Sequence, residues 1–186
     1  MHTREQDDRL LTIAEYEQLP KEDAYRVDLV RGMLVRTPRP APLHGRVAAR
    51  LTRALDEFVE SRRVGVVLVE VGVVLARDPD TVRGPDIAFY TPARIPEGGY
   101  GTGFWGPPDL AVEILSPANR KCALREKLTD YFAAGVRVVW VVDPRARTVT
   151  VHEAGEPPRI LHEAEVLTGD DVLPGFRLSL ATFFAL

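Results

Sequence analysis

Two valine-rich runs constrain this chain more than any other feature. Residues 64–76 read VGVVLVEVGVVLA and residues 136–143 read VRVVWVVD. β-Branched residues at that density favour extended backbone. Apolar runs without strict alternation belong to strands covered on both faces, so the chain must build a sheet with material above and below it. Two principal helices are legible to cover such a sheet, and a dimer would cover what they leave exposed, so a homodimer is expected. The first run is 13 residues long and contains Glu70, whereas a bilayer crossing needs about 20 apolar residues, so no membrane role is expected.

The helices follow from spacing. Val47, Leu51, Leu55, Phe58 and Val59 recur at intervals of three and four, which predicts a helix over 44–60. A second helix, over about 120–134, stops at Gly135 and carries Leu124, Leu128 and Tyr131 as its apolar stripe, with Lys127 beside it. A short helix over 11–19 opens with Thr12 and Glu15 in capping-box spacing and ends before Pro20. Arg31-Gly32 between two apolar runs predicts a hairpin, IAFY (87–90) and DLAVEILS (109–116) two strands, and VRVVWVVD with TVTVHEA a second hairpin. Residues 78–84 read as a turn, and residues 91–108 as a long loop of the kind that often has a function. The tail holds one short β segment and an apolar turn or helix. Six to eight strands with two main helices make an α+β (mixed α/β) single domain, and 186 residues suit that count.

Composition removes several functions. The single cysteine, Cys122, allows no internal disulfide and points to a reducing cytoplasm. The opening MHTREQDDRL is too polar for a signal or transit peptide. With 24 Lys+Arg against 27 Asp+Glu, contact with nucleic acid must rest on a local patch. Arg46, Arg50 and Arg53 share one helical face and are candidate phosphate contacts, as are the more scattered Arg31, Arg36 and Arg39; a merely solvated helix face is the alternative. There is no G-x-S-x-G elbow and no P-loop, and Cys122 has no histidine near it in sequence.

The acids are more telling. Glu113 interrupts the apolar run LAVEIL, and a lone buried carboxylate requires a partner, a proton or a metal. Asp80, Asp86 and Asp109 each follow a proline, so the dipeptide alone says little. Asp80 lies in a polar turn, and Asp109 is about 13 Å along the strand from Glu113. Asp86 precedes IAFY. If that strand pairs antiparallel with 109–116 so that Tyr90 faces Asp109, then Asp86 faces Glu113 at about 5 Å between Cβ atoms, suited to one shared cation. Lys127 on the next helix falls near the same sheet, where it would orient water or offset phosphoryl charge.

DLVRGMLV, a Pro-rich loop with His44, GPDIAFY, PPDLAVEILSPANR, REKLTDYFAAGVRVVWVVDP and LPGF follow one another in that order. The series resembles the Uma-two family of restriction endonucleases, formerly a domain-of-unknown-function group, within the PD-(D/E)XK nuclease superfamily. The resemblance runs from about Leu11 to Phe184. It implies a restriction-endonuclease-like core, a mixed sheet flanked by helices with an N-terminal β-hairpin extension. It also implies an Mg²⁺- or Mn²⁺-dependent endonuclease acting on DNA. Asp86 and Glu113 would be its acids, the Ile114 carbonyl a further metal ligand, and Asp28 a ligand of a second metal or a water. Leu115 stands where the motif has lysine, and Lys127 matches a lysine moved to the helix. His44 matches a histidine of the family, with a cap or surface position as its plain reading. Glu70 reads as an ion-pair partner. A module of the same fold without catalysis, or a hydrolase of a non-nucleic substrate, stays open beside the nuclease.

Overall fold

The computed structural model describes residues 9–101, 103–116 and 121–185, with the side chains of 121 and 122 left out. The turn expected at 117–119 and the Cys122 side chain lie outside the described residues. In order, the elements are α1 (Ile13–Glu17), β1 (Tyr25–Val30), β2 (Met33–Pro38), α2 (Pro42–Arg62), β3 (Val66–Val69), β4 (Val73–Ala76), β5 (Thr81–Arg83) and β6 (Ile87–Tyr90). They continue with β7 (Leu110–Ile114), α3 (Lys121–Ala133), β8 (Val138–Asp143), β9 (Thr148–Glu153), β10 (Arg159–His162), β11 (Val166–Gly169), β12 (Leu173–Ser179) and α4 (Leu180–Phe184).

Six strands in the order β10-β9-β8-β7-β6-β3 form the main sheet. It is mixed as expected: β7 and β8 run parallel, joined through α3, and the other neighbours are antiparallel. One face packs on α2 through Val47, Leu51, Leu55 and Val59, together with β11, β12 and α4. The other packs on α3 through Tyr131 and half-buried Leu124 and Leu128, with Trp105 beside them. β8 sends Trp140 and Val142 to the first face and Val139 and Val141 to the second. This strand is thus covered by its own chain and needs no second copy for that purpose. β3 is half-buried at the sheet's edge.

The residue 64–76 run, which by its pattern reads as one buried strand bent at Gly72, is two strands. The chain breaks at Glu70, which takes a left-handed φ of 53°, and β4 joins a different sheet. That second sheet, ordered β2-β1-β5-β4, absorbs the expected hairpin. Residues 81–83, expected within a turn, form its strand β5, because Val82 is buried against Leu29 and Ile13. At the hairpin tip Arg31 and Gly32 have φ of 49° and 75°, the paired left-handed geometry of a two-residue loop. A side chain on Gly32 would collide with Leu10, whose Cβ lies 2.6 Å from where it would start.

Asp80 is more than a turn residue. Its Oδ2 accepts from the Ile13 amide at 2.6 Å, and its carbonyl accepts from the Gly32 amide at 2.8 Å, tying α1 to the hairpin. The tail from Leu167 holds β12 and most of β11 where the sequence suggested one β segment, and β10 precedes it. No helix among the described residues is long and apolar enough to cross a membrane.

Candidate active site

β6 and β7 pair with Ile87 opposite Val112, Ala88 opposite Ala111 and Phe89 opposite Leu110. One step further along that register sets Asp86 opposite Glu113; the Asp86 amide bonds to the carbonyl of Val112, the residue before Glu113, at 3.0 Å. The assumed register is the observed one. Alternation along β7 sends Leu110, Val112 and Ile114 to the α2 side and leaves Ala111 and Glu113 facing α3. Both carboxylates are buried, Asp86 at 2% exposure and Glu113 at 3%.

Each acid has its own partners. Lys127 Nζ lies 2.8 Å from both Glu113 oxygens, and the Tyr131 hydroxyl donates to Oε1 at 2.7 Å. Lys127 and Tyr131, four residues apart, come from one face of α3. On Asp86, Oδ1 takes the Arg26 guanidinium, while Oδ2 accepts the Ile114 amide at 2.6 Å and sits 3.0 Å from His44 Nε2. Arg26 also pairs with Glu70, which thus has the ion-pair role expected of it.

These surroundings move the carboxyls apart. Burial pushes Asp86 up, but His44, then Arg26 and the Ile114 amide, outweigh it and hold the group below its ordinary value. Burial also pushes Glu113 up. Lys127 opposes that, Asp86 adds to it, and the net direction is upward. Lys127 is raised: burial disfavours its charge, but Glu113, Asp28 and Asp86 overcome the penalty.

The other expected residues divide. Asp28 lines the same cleft, its Oδ1 accepting the Gly84 amide at 3.2 Å and its Oδ2 lying 3.4 Å from Arg83, which in turn holds Asp130 at 2.6 Å. Ile114 reaches the site, its N–H bonded to Asp86. Arg50 has partners within the fold: it donates to the carbonyls of Thr182 and Ala185 at 2.7 and 2.8 Å, at the end of α4. Arg46 and Arg53 are exposed and form no ion pair among the described residues. Arg36 pairs with Glu22 and Arg31 with Asp130, while Arg39 donates to main-chain carbonyls. His44 is at the site, 5% exposed, rather than on the surface. Asp109 is structural, bonded to Thr91 at 2.8 Å and paired with Arg94 at 3.2 Å.

Sequence reasoning missed Arg26 and read Tyr131 only as core. A signal for Arg26 exists: it alternates with Asp28 on β1 between apolar Val27 and Leu29, which places both on one strand face.

The cleft holding Asp86 and Glu113 has a volume of about 40 Å³. That is close to the space of one water or one small ion. Among the described residues no three His, Cys, Asp or Glu side chains cluster as a metal site. The donor set is nonetheless hard oxygen, two facing carboxylates, with the Ile114 N–H bonded to one of them. That set fits a cation such as Mg²⁺, which keeps most of its own waters. Such an ion would have to compete with Arg26 and Lys127 for oxygens they already hold.

The sequence model of the Uma2 family, described as "Putative restriction endonuclease", matches residues 13–181. Among solved structures, a putative nuclease belonging to DUF820 from Anabaena variabilis ATCC 29413 superposes with a TM-score of 0.82. The two share 21% identity over 94% of this chain and 97% of that one, a likeness of fold. No curated protein matches.

Proposed function

The chain belongs to the Uma2 family of putative restriction endonucleases, and on that premise we propose that it is a divalent-metal-dependent nuclease that hydrolyses phosphodiester bonds of DNA. One observation carries the reading: Asp86 and Glu113 face each other in register on adjacent strands, with Lys127 seated on Glu113. In this reading they are the acid pair and displaced lysine of a PD-(D/E)XK centre.

Asp86, Glu113 and the Ile114 carbonyl would hold Mg²⁺ or Mn²⁺. When bound, the ion makes water more acidic and offsets negative charge gathering on the phosphate. Asp86 stays ionised at neutral pH, because His44, Arg26 and the Ile114 amide stabilise its charge. Lys127 has three N–H donors, and two point at Glu113. Among the described residues the third has no acceptor, and it would hold the attacking water or a phosphoryl oxygen, placing positive charge where the transition state needs it. Tyr131 fixes the Glu113 carboxylate from the far side. Exposed Arg46 and Arg53 would meet neighbouring phosphates, positioning the strand without reading its sequence.

The test is cleavage of supercoiled plasmid. Mg²⁺ or Mn²⁺ should yield nicked and linear products that EDTA abolishes, and Asp86→Asn and Glu113→Gln should each remove the activity. Cleavage that survives both substitutions would refute the assignment.

A further inference from the structure

A second cavity, of about 440 Å³, adjoins the catalytic cleft. Its walls come from α1 and the turn after it, from the β1–β2 hairpin, and from Phe104 at the end of the 91–108 loop. Arg26, Asp28 and Gly84 line both spaces, so the two lie side by side. The catalytic cleft has room for little more than an ion. This one falls in the size range of small-molecule sites.

The lining is aromatic and electrically balanced. Tyr16 and Phe104 lie 5.6 Å apart between ring centres at 33°. The Tyr16 hydroxyl is bonded to the Val27 carbonyl at 2.5 Å, which fixes the ring. Phe104 can take its place because residue 72 is glycine: a Cβ there would lie 2.5 Å from the Phe104 ring. Tyr25 stands at the mouth, 42% exposed. Basic Lys21 and Arg36 at the rim are matched by Glu17 and Glu22. A phosphate would select an excess of cations. A neutral, flat ring bearing both donors and acceptors suits aromatic walls with mixed polar groups.

Resting on the nuclease reading, we propose that this cavity holds one unstacked nucleobase of the strand being cut, beside the scissile phosphate. The wall it shares with the cleft argues for a base on the strand. A phosphate brought to Asp86 and Glu113 sets its neighbouring nucleotide against the Arg26–Asp28–Gly84 boundary. A base paired in a duplex cannot enter a walled pocket, and extruding one costs stacking and pairing. The substrate class that follows is single-stranded or locally opened DNA. The 91–108 loop acquires a role through Phe104.

The test compares two strands of equal phosphate number by fluorescence anisotropy in EDTA: a 12-nucleotide oligothymidylate and a fully abasic oligomer. Stacking on an aromatic wall should make the wild-type chain bind the thymidylate about tenfold or more tightly. Phe104→Ala removes a wall and Leu34→Trp fills the space. Each should bring the two affinities together while leaving that for the abasic strand unchanged, and circular dichroism shows which variants are folded. Equal wild-type affinity for both strands, no binding to either, or a preference that survives both folded variants would overturn the pocket. Plasmid cleavage by a protein without the base preference would retain the nuclease and discard the pocket. A base preference lost in both variants of a chain that cuts nothing would keep the pocket and discard the nuclease.

Discussion

Asp86 and Glu113 face each other across β6 and β7, yet their surroundings drive the two carboxyls in opposite directions. Asp86 accepts from a guanidinium and an amide and sits beside an imidazole; Glu113 has an ammonium, a hydroxyl and a repelling neighbour. The consequence for the metal-free protein follows from linkage. A folded-state pKa below the ordinary 3.8 means that the native state binds fewer protons than the unfolded state just below that pH. Asp86 therefore contributes stability that is fully present above the ordinary carboxylate range and lost as pH falls through its native value. Urea denaturation between pH 6 and pH 2.5 should show Asp86→Asn with a shallower acid limb than the wild type. A parallel pair of curves would contradict the account.

Lys127 and Tyr131 both touch Glu113 but supply different things. Lys127→Ala removes the cation that faces the substrate and should lower kcat by about 10²- to 10³-fold. Tyr131→Phe removes one hydrogen bond of about 1 kcal/mol from a carboxylate that keeps its lysine, so about a fivefold fall is expected. Single-turnover cleavage at saturating metal ranks the two. The reverse order would place Lys127 outside the chemistry.

Arg26 bridges Glu70 and Asp86, so it occupies an oxygen that a cation needs. Removing it should help metal and harm folding. Arg26→Ala should tighten Mg²⁺ binding about fivefold, the equivalent of about 1 kcal/mol for a partly exposed pair. Glu70→Gln should act in the opposite direction and less strongly, because it removes a negative charge and leaves the guanidinium wholly to Asp86. Isothermal calorimetry measures both, and weaker binding in Arg26→Ala would show that the arginine supports the metal position instead of competing with it.

Three arginines on α2 should separate by experiment. Arg46→Ala and Arg53→Ala should each weaken DNA binding evenly across sequences and reduce the salt slope by about 1. Arg50→Ala should leave that slope alone and cost about 1 kcal/mol of stability, because its partners are the carbonyls at the end of α4. A salt slope that changes with Arg50 would return it to the binding face.

Much of this was legible before any coordinates. The valine runs required a sheet covered twice, and β8 shows it. A carboxylate inside LAVEIL required partners, and Glu113 has them. The Asp86–Glu113 facing followed from counting along two strands once Tyr90 was assumed to face Asp109, a register that the β6–β7 pairing has. Less legible was whatever depends on residues far apart in sequence. The break at Glu70 is set by two sheets competing for one valine run, and local propensity does not record which strand goes where. Arg26 joins the site from 60 residues away. His44 reads as a helix-end residue until α2 is laid on the sheet beside Asp86. Arg50 looked like its neighbours one turn away until α4 placed its carbonyls there. β10 to β12 carry short, mixed patterns whose pairing alone makes them strands.

The most direct test of the central claim is an Mg²⁺ or Mn²⁺ titration by calorimetry on the wild-type chain, Asp86→Asn and Glu113→Gln, each shown to be folded. The account requires binding by the wild type that both substitutions abolish. A wild type that binds neither ion, or variants that bind as well as it does, would contradict it.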